Sequence, residues 1–387
     1  MILLILGLVL FIGLVVVHEF GHFIMARRNG VDIEEFGIFF PPRLFKHRTR
    51  GGWDFTINAL PLGGFVKMKG EHDSDIERGS FGAASMWAKT KIMVAGVFMN
   101  LLVAILLLTV LAAMGIPKLI PNQYTVASDT QLVSQKVLLT YIEPGSPAAK
   151  AGLKAEDQLR SISLPGYSPV TIVNADTLPQ ITKNFAGKTV NVYYVRGGHE
   201  QQTKLTLLTA AEVKASQKTS NPKGYLGVSP TQLTVQRSTW SAPIVAVGLS
   251  AQITALTFQG LGHAVGGLGS LIAGAATGNN VARQHGQASA TAQVSGPVGI
   301  FFILKDGSLL GYQYMLFIIA IISLTLAIMN ILPIPALDGG RLWLMLATRG
   351  LGRPLAPRTE EVINATGFLV LISLIILISV VDVQRFF

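Results

Sequence analysis

Two histidines four residues apart, His18 and His22, sit in an apolar run at the start of the chain, with Glu19 directly after the first. On a helix, residues four apart share a face, so both imidazoles can reach a single metal ion. The acid one position after the first histidine can touch a metal-bound water as general base. The pattern His18-Glu19-Phe20-Gly21-His22 therefore points to hydrolysis at a metal. Nothing from Met1 to Val17 carries a charge. Ionisable groups inside such a run cost roughly 3 kcal/mol each unless they are paired or functional. A polar cluster that glues helices together is the structural alternative.

A catalytic zinc takes three protein ligands and keeps one position open. The chain has no cysteine, so the third ligand must come from the other His, Asp and Glu residues. Asp338 is the best placed, in Asn330-Ile-Leu-Pro-Ile-Pro-Ala-Leu-Asp338-Gly339-Gly340. Pro333 and Pro335 cannot continue a regular helix, and the two glycines permit a tight unwound turn. Irregular backbone at membrane depth is tolerated only where it lines a cavity or site. Depth agrees: seventeen residues before His18 make about 25 Å of helix, and Tyr312 to Asn330 make roughly 28 Å. Both half-sites then lie near one face of the membrane. A carboxylate that only caps a helix end is the alternative for Asp338.

The elements that must position these residues are set by composition. Half of the 387 residues are apolar and 13% are charged, far below the share that keeps a soluble chain wet. Four stretches are long enough to cross a bilayer: 1–26, 92–116, 307–340 (its apolar part ending at Leu337) and 362–381. A cleaved signal peptide is disfavoured for the first, which lacks a basic leading region and a small-residue cleavage site. Arg27 and Arg28, and Arg341, Arg349, Arg353 and Arg358, mark two cytoplasmic loops. Both termini and the long segment from 117 to 306 then lie outside. The stretch between Arg237 and Arg283 is rich in Gly, Ser, Thr and Gln, and within 238–300 a helix lying at the outer interface is expected. The net charge of +10 is thus read against the membrane, with Arg43, Lys46, Arg48 and Arg50 facing anionic headgroups, and not against nucleic acid.

From 124 to 230 charges return and period-two patterns appear. Lys136–Ile142 reads as a strand, followed by a turn and short helix in Glu143-Pro-Gly-Ser-Pro-Ala-Ala-Lys-Ala-Gly-Leu. Asn174–Ala186 reads as a second helix, and Thr189–Val195 with Lys204–Leu208 as a hairpin around Gly197-Gly198. This region resembles the PDZ domain of bacterial envelope proteases, and Tyr225-Leu-Gly-Val228 resembles its carboxylate-binding loop. Such domains bind extended peptides and capture their C-termini. A small sandwich without a ligand is the alternative.

Together, HEFGH, NILPIPALDGG and the PDZ-like module resemble the site-2 protease family of intramembrane zinc metalloproteases, closest to the regulator-of-sigma-E type. Phe55-Thr-Ile-Asn-Ala-Leu-Pro-Leu-Gly-Gly-Phe-Val-Lys67, Ala95-Gly-Val-Phe-Met-Asn100 and Ser295-Gly-Pro-Val-Gly-Ile300 extend the match over nearly the whole chain. The resemblance implies zinc held by His18, His22 and Asp338, Glu19 as catalytic base, and Asn330 helping to hold or polarise the substrate. It implies a membrane-reentrant hairpin at about 53–68, within a cytoplasmic-side segment 27–91. The expected fold is a polytopic helical protein with four membrane helices and one inserted PDZ domain. Gly96 and Asn100 match the family's GxxxN pattern, which helix packing would also explain.

The chain departs from the family in Ala95-Gly96-Val97, where Pro is usual, and in having one PDZ module where many sigma-E types have two. The implied setting is the bacterial inner membrane, and the implied substrates are membrane-spanning segments such as those of trimmed anti-sigma factors, or signal-peptide remnants. Two other classes stay open. A divalent-metal transporter needs polar residues along a whole pathway, and spans two and four carry no charge. A catalytically inactive PDZ scaffold has no use for Glu19. His47, His72, His199, His263 and His285 fall outside ligand spacing and read as ordinary polar residues.

Overall fold

Apolar residues on every face of the first 26 positions leave a helix as the way to satisfy the backbone in lipid. The computed structural model has one there, α1 (Ile2–Arg28). The structure describes residues 2–71, 75–217, 222–279, 281, 296–350 and 357–386. His72, His285, Arg283, Arg353 and Ser295 lie outside them. The chain divides into one unit of Met1–Leu111 with Pro243–Phe387, and a second of Ala112–Ala242.

In the first unit α1 is followed by two long strands, β1 (Ile33–Arg48) and β2 (Asp54–Met68), and by helix α2 (Met86–Met114). The strands fold back on one another more than the sequence suggested. Residues Phe36, Gly37 and Ile38 pair with Val66, Phe65 and Gly64 on one side and with Phe55, Thr56 and Ile57 on the other. Phe45–Arg48 pairs in turn with Ile57–Asp54. The expected hairpin at about 53–68 is therefore half of a larger sheet. Its partner β1 carries Pro41-Pro42 at mid-strand, where proline removes ladder donors. Phe23, Ala26, Ile33, Phe36, Met68, Phe81, Ile92, Leu342 and Met345 form one buried cluster, so the sheet base packs against the ends of α1 and α2.

The rest of this unit is α6 (Ala242–Thr277), α7 (Pro297–Leu310), α8 (Tyr312–Ile331), α9 (Asp338–Gly350) and α10 (Pro357–Phe386); α3–α5 belong to the second unit. Among the described residues, five helices are long and apolar enough to cross a membrane: α1, α2, Ala242–Leu271 of α6, α8, and Arg358–Val383 of α10. Four were expected, with α6 at the interface, and by length and composition α6 also qualifies. The third expected span is broken: Gly311, at φ 108°, ends α7 and starts α8, so residues 307–310 belong to the preceding helix. The start of α7 is capped from far along the chain. Asp382 Oδ2 accepts from the N–H groups of Gly296 and Gly299 at 2.9 and 2.8 Å.

The second unit is built on β3 (Ile116–Pro117), β4 (Gln131–Ile142), β5 (Gln158–Ser163), β6 (Val170–Thr171), β7 (Thr189–Arg196), β8 (His199–Thr206) and β9 (Val228–Arg237). They form one seven-stranded sheet in the order β3-β9-β4-β5-β7-β8, with β6 on β5. The strand, helix and hairpin read from the sequence are present, as β4, α3 (Pro147–Lys150) and β7-β8. The second predicted helix is a 3₁₀ turn at Ala175–Thr177 followed by α4 (Leu178–Asn184). A further helix, α5 (Ala210–Ser216), has a capping box from Thr209 and Glu212. The unit outruns 124–230 at both ends, because β9 pairs with β4 along its full length, from Ile142↔Val228 to Gln131↔Arg237.

Alternate inward residues of the strands, Val137, Leu139, Leu159, Ile162, Val190 and Val192, fill the core with Leu178, Leu205 and Leu226. Asp157, almost wholly buried, takes a two-pronged contact from Arg196 at 2.6 Å and the N–H of Lys154. Asp129 accepts from the hydroxyls and N–H groups of Thr239 and Ser241. Loss of hydration works against its charge, but those donors outweigh it and hold the Asp129 carboxyl down at about 2.

Candidate metal centre

Helix α1 carries His18 and His22 on one face, and the first residue of α9 brings Asp338 to them. His18 Nε2 lies 2.9 Å from Asp338 Oδ2, His22 Nε2 lies 3.1 Å from the same oxygen, and the two Nε2 atoms are 3.2 Å apart. Among the described residues these three form the group that could hold a metal ion, with one donor atom each inside a 4.8 Å span. The imidazoles are buried, at 9% and 7% side-chain exposure, while Asp338 is 26% exposed. Among the three, Asp338 is thus the most open side of the cluster.

The position of Asp338 follows from the unwound Leu332–Leu337 segment and the two glycines after it. A Cβ on Gly339 would sit 2.3 Å from Leu332 O, and one on Gly340 would sit 2.1 Å from Ile334 O. Without side chains there, the first turn of α9 presses directly on the backbone it has just left. Trp343 Nε1 donates to Ile331 O at 3.1 Å and ties the turn to the end of α8. Ala336 takes a left-handed φ of 73° to make the reversal.

Helix α2 supplies the back wall. A Cβ on Gly21 would meet Ala95 O at 2.6 Å, so α1 and α2 approach at backbone contact. A Cβ on Gly96 would lie 2.4 Å from His22 Nε2 and 2.7 Å from His18 Nε2. Glycine there keeps clear the space beside both donor atoms. His22 Nδ1 is 2.8 Å from Ile92 O, an acceptor that fixes the proton on Nδ1 and leaves the Nε2 lone pair free. Two imidazoles and a carboxylate are a donor set that suits zinc. The residues fit a metal.

Glu19 is half-buried and turns toward the sheet: a Cβ on Gly64 would lie 3.3 Å from Glu19 Cγ and 3.1 Å from Gly37 O. Gly64 belongs to the outer run of β2, which among the described residues pairs with β1 on one side only. Asn330 lies half-buried in the last turn of α8, and no hydrogen bond joins it to the three ligands. His47 is on β1, His199 on β8 and His263 on α6, all outside the cluster. Sequence reasoning left Asn100 as packing, whereas its side chain meets His18 at 3.4 Å. The signal was present, as a lone amide inside an apolar span.

In the second unit, Tyr225–Val228 is tied to the turn that begins α3. Ala148 N–H donates to Leu226 O and Glu143 N–H to Gly227 O, and Gly227, at φ 74°, packs its α-carbon on Ser146. The two stretches singled out in the sequence thus form one loop pair.

The model of peptidase family M50 matches residues 6–374. A Clostridium perfringens protein with a provisional zinc-metalloprotease name is 28% identical over 377 residues, 97% of each chain. A Nostoc protein with a name of the same kind is 29% identical over 381 residues, 96% of this chain and 93% of its own. The "Probable protease eep" of Enterococcus faecalis is 25% identical over 457 aligned residues, again 97% of each.

Proposed function

The chain belongs to peptidase family M50, and on that premise we propose that it is a zinc endopeptidase that cuts peptide bonds within membrane-spanning segments. The observation that carries this reading is the meeting of His18 Nε2 and His22 Nε2, on the apolar helix α1, with Asp338 Oδ2 from the start of α9, beside a glycine that leaves the two Nε2 atoms clear. The zinc-metalloprotease names of its relatives support the choice of metal. Bound there, zinc polarises a carbonyl and lowers the pKa of a water toward ~7. His18, His22 and Asp338 hold it. Glu19, next to His18 in sequence, takes the proton of the attacking water and returns it to the leaving amine.

A membrane helix offers no free carbonyl, because its backbone groups are bonded within the helix. The substrate must unwind, and the outer run of β2 beside Glu19 gives it an edge to pair with. Gly64 lets that edge lie close to the acid. Asn330, at the end of α8, is assigned to holding the substrate near the unwound Leu332–Leu337 segment.

Basic residues place Arg27, Arg28, Arg341, Arg349 and Arg358 on the cytoplasmic side of the bacterial inner membrane, with Ala112–Ala242 outside. An interfacial α6, the least apolar of the five candidates, keeps that parity. The outer unit then acts as a PDZ domain that binds extended C-termini, which favours substrates already trimmed outside, as anti-sigma factors are. Glu19 favours this reading over a scaffold or a metal transporter.

The test is cleavage of a tagged single-span substrate by purified protein in detergent. Glu19→Gln is expected to lower the rate about 10²–10⁴-fold, and a zinc chelator to abolish it. Cleavage that survives Glu19→Gln overturns the mechanism.

A further inference from the structure

Asn100 is a fully buried amide in an apolar helix, 1% exposed, and its chemistry is not used up by packing. Its Nδ2 lies 3.4 Å from His18 Nδ1, while its Oδ1 is buried without a hydrogen-bond partner. Its backbone is held from a third helix, since Ser323 Oγ on α8 donates to Asn100 O at 2.7 Å. Gly96, one turn earlier, faces the two Nε2 atoms. The pair Gly96 and Asn100 thus meets the histidines at both ends of the imidazole: glycine at the donor side, the amide at the far nitrogen.

That far nitrogen decides what His18 can do. A neutral imidazole carries one proton, and it binds metal through Nε2 only when the proton is on Nδ1. His22 has a fixed acceptor for such a proton in Ile92 O, and the group bonded to His18 Nδ1 is the Asn100 amide. With Nδ2 toward the ring, Nδ1 accepts and the proton sits on Nε2, where it bonds Asp338 Oδ2 at 2.9 Å. A half-turn about Cβ–Cγ brings Oδ1 to Nδ1 instead. The orphaned oxygen then gains a donor, the proton sits on Nδ1, and the Nε2 lone pair is free.

We propose that Asn100 is the positioning residue that sets the tautomer of His18, accepting from Nδ1–H through Oδ1 so that the Nε2 lone pair is free for the metal. The inference rests on the reading of His18, His22 and Asp338 as zinc ligands. A backbone carbonyl serves His22 in that role, and a side-chain amide serves His18.

The experiment uses full-length protein in detergent, with zinc alone as probe, competed against a chromophoric chelator. Asn100→Leu keeps the shape and removes the acceptor, and it is expected to weaken zinc binding by about 10–100-fold. Asn100→Asp can accept but not donate, and it is expected to hold zinc at least as tightly as wild type. Zinc binding unchanged in Asn100→Leu, or equally weak in both variants, overturns the proposal and returns Asn100 to helix packing.

Imidazole ¹⁵N spectra of zinc-loaded wild type give a second reading that needs no variant. Protonated Nδ1 on both His18 and His22 is expected, and coordination of His18 through Nδ1 overturns the proposal. Wild type that binds no zinc, or that loses none on His22→Ala, overturns the metal centre itself and the role of Asn100 with it. Zinc that depends on His22 but is indifferent to Asn100 overturns the second alone.

Discussion

The segments that carry His18, His22 and Asp338 meet their neighbours through backbone atoms and glycines: Ala95 O against Gly21, the bare α-carbon of Gly96 beside the imidazoles, and Leu332 O and Ile334 O against Gly339 and Gly340. In Ala112–Ala242 the neighbours are side chains, with Val137, Leu139, Leu159, Ile162, Val190 and Val192 interleaved between strands. The contrast follows from the two solvents. Lipid is as apolar as leucine, so helices gain little by hiding apolar groups from it and associate through close backbone approach. Water rejects apolar surface at about 25 cal/mol per Å², so the sheet unit is held by burial. Adding a methyl should therefore damage one region, and removing methyls the other.

The sharpest test is Gly96→Ala. The new Cβ falls 2.4 Å from His22 Nε2, so the imidazoles must move apart. Zinc affinity should fall at least about 100-fold, the upper end of what lost support of a ligand costs. The sheet unit should keep its protease resistance. Zinc bound at wild-type strength by Gly96→Ala ends the claim that backbone clearance governs the centre.

Leu139→Ala is the reciprocal change, in a side chain 1% exposed. Loss of contacts plus a cavity should cost about 2–5 kcal/mol. Limited proteolysis in urea should show the sheet unit opening earlier, with one zinc per chain retained. Parallel loss of zinc blurs the contrast between the regions.

The smallest effect is acid sensitivity at Asp129. Its folded carboxyl titrates at about 2, below its unfolded value, so the stabilisation is complete above about pH 4 and fades as pH falls toward 2. Asp129→Asn should flatten that acid limb of the unfolding profile in the sheet unit. A limb unchanged by the substitution removes Asp129 from the account.

The meeting of His18, His22 and Asp338 was legible because chemistry fixes side-chain types and helix geometry fixes their spacing. His18 and His22 follow from a four-residue repeat, and Asp338 from the lack of cysteine together with two proline breaks and matching depth. What escaped depends on approach between elements, which spacing does not encode. Gly64 was part of a motif, but its distance to Glu19 exists only once β2 folds over α1. The double pairing of Phe36–Ile38 likewise exists only once both runs of β2 lie along β1. The sheet unit was clearer, since β7 follows period-two alternation, yet the module was ended at 230 and β9 was missed, because the strand it pairs with lies some ninety residues earlier.

The distance along the chain between His18 and Asp338 is 320 residues. A ribosome adding about 5–20 residues per second takes roughly 15–60 s to cover it. Over that interval α1 already carries both histidines and Glu19, and α2 arrives with Ile92, Gly96 and Asn100, but the third ligand does not exist. The cluster of two imidazoles and a carboxylate is thus completed only when synthesis of the chain is almost finished.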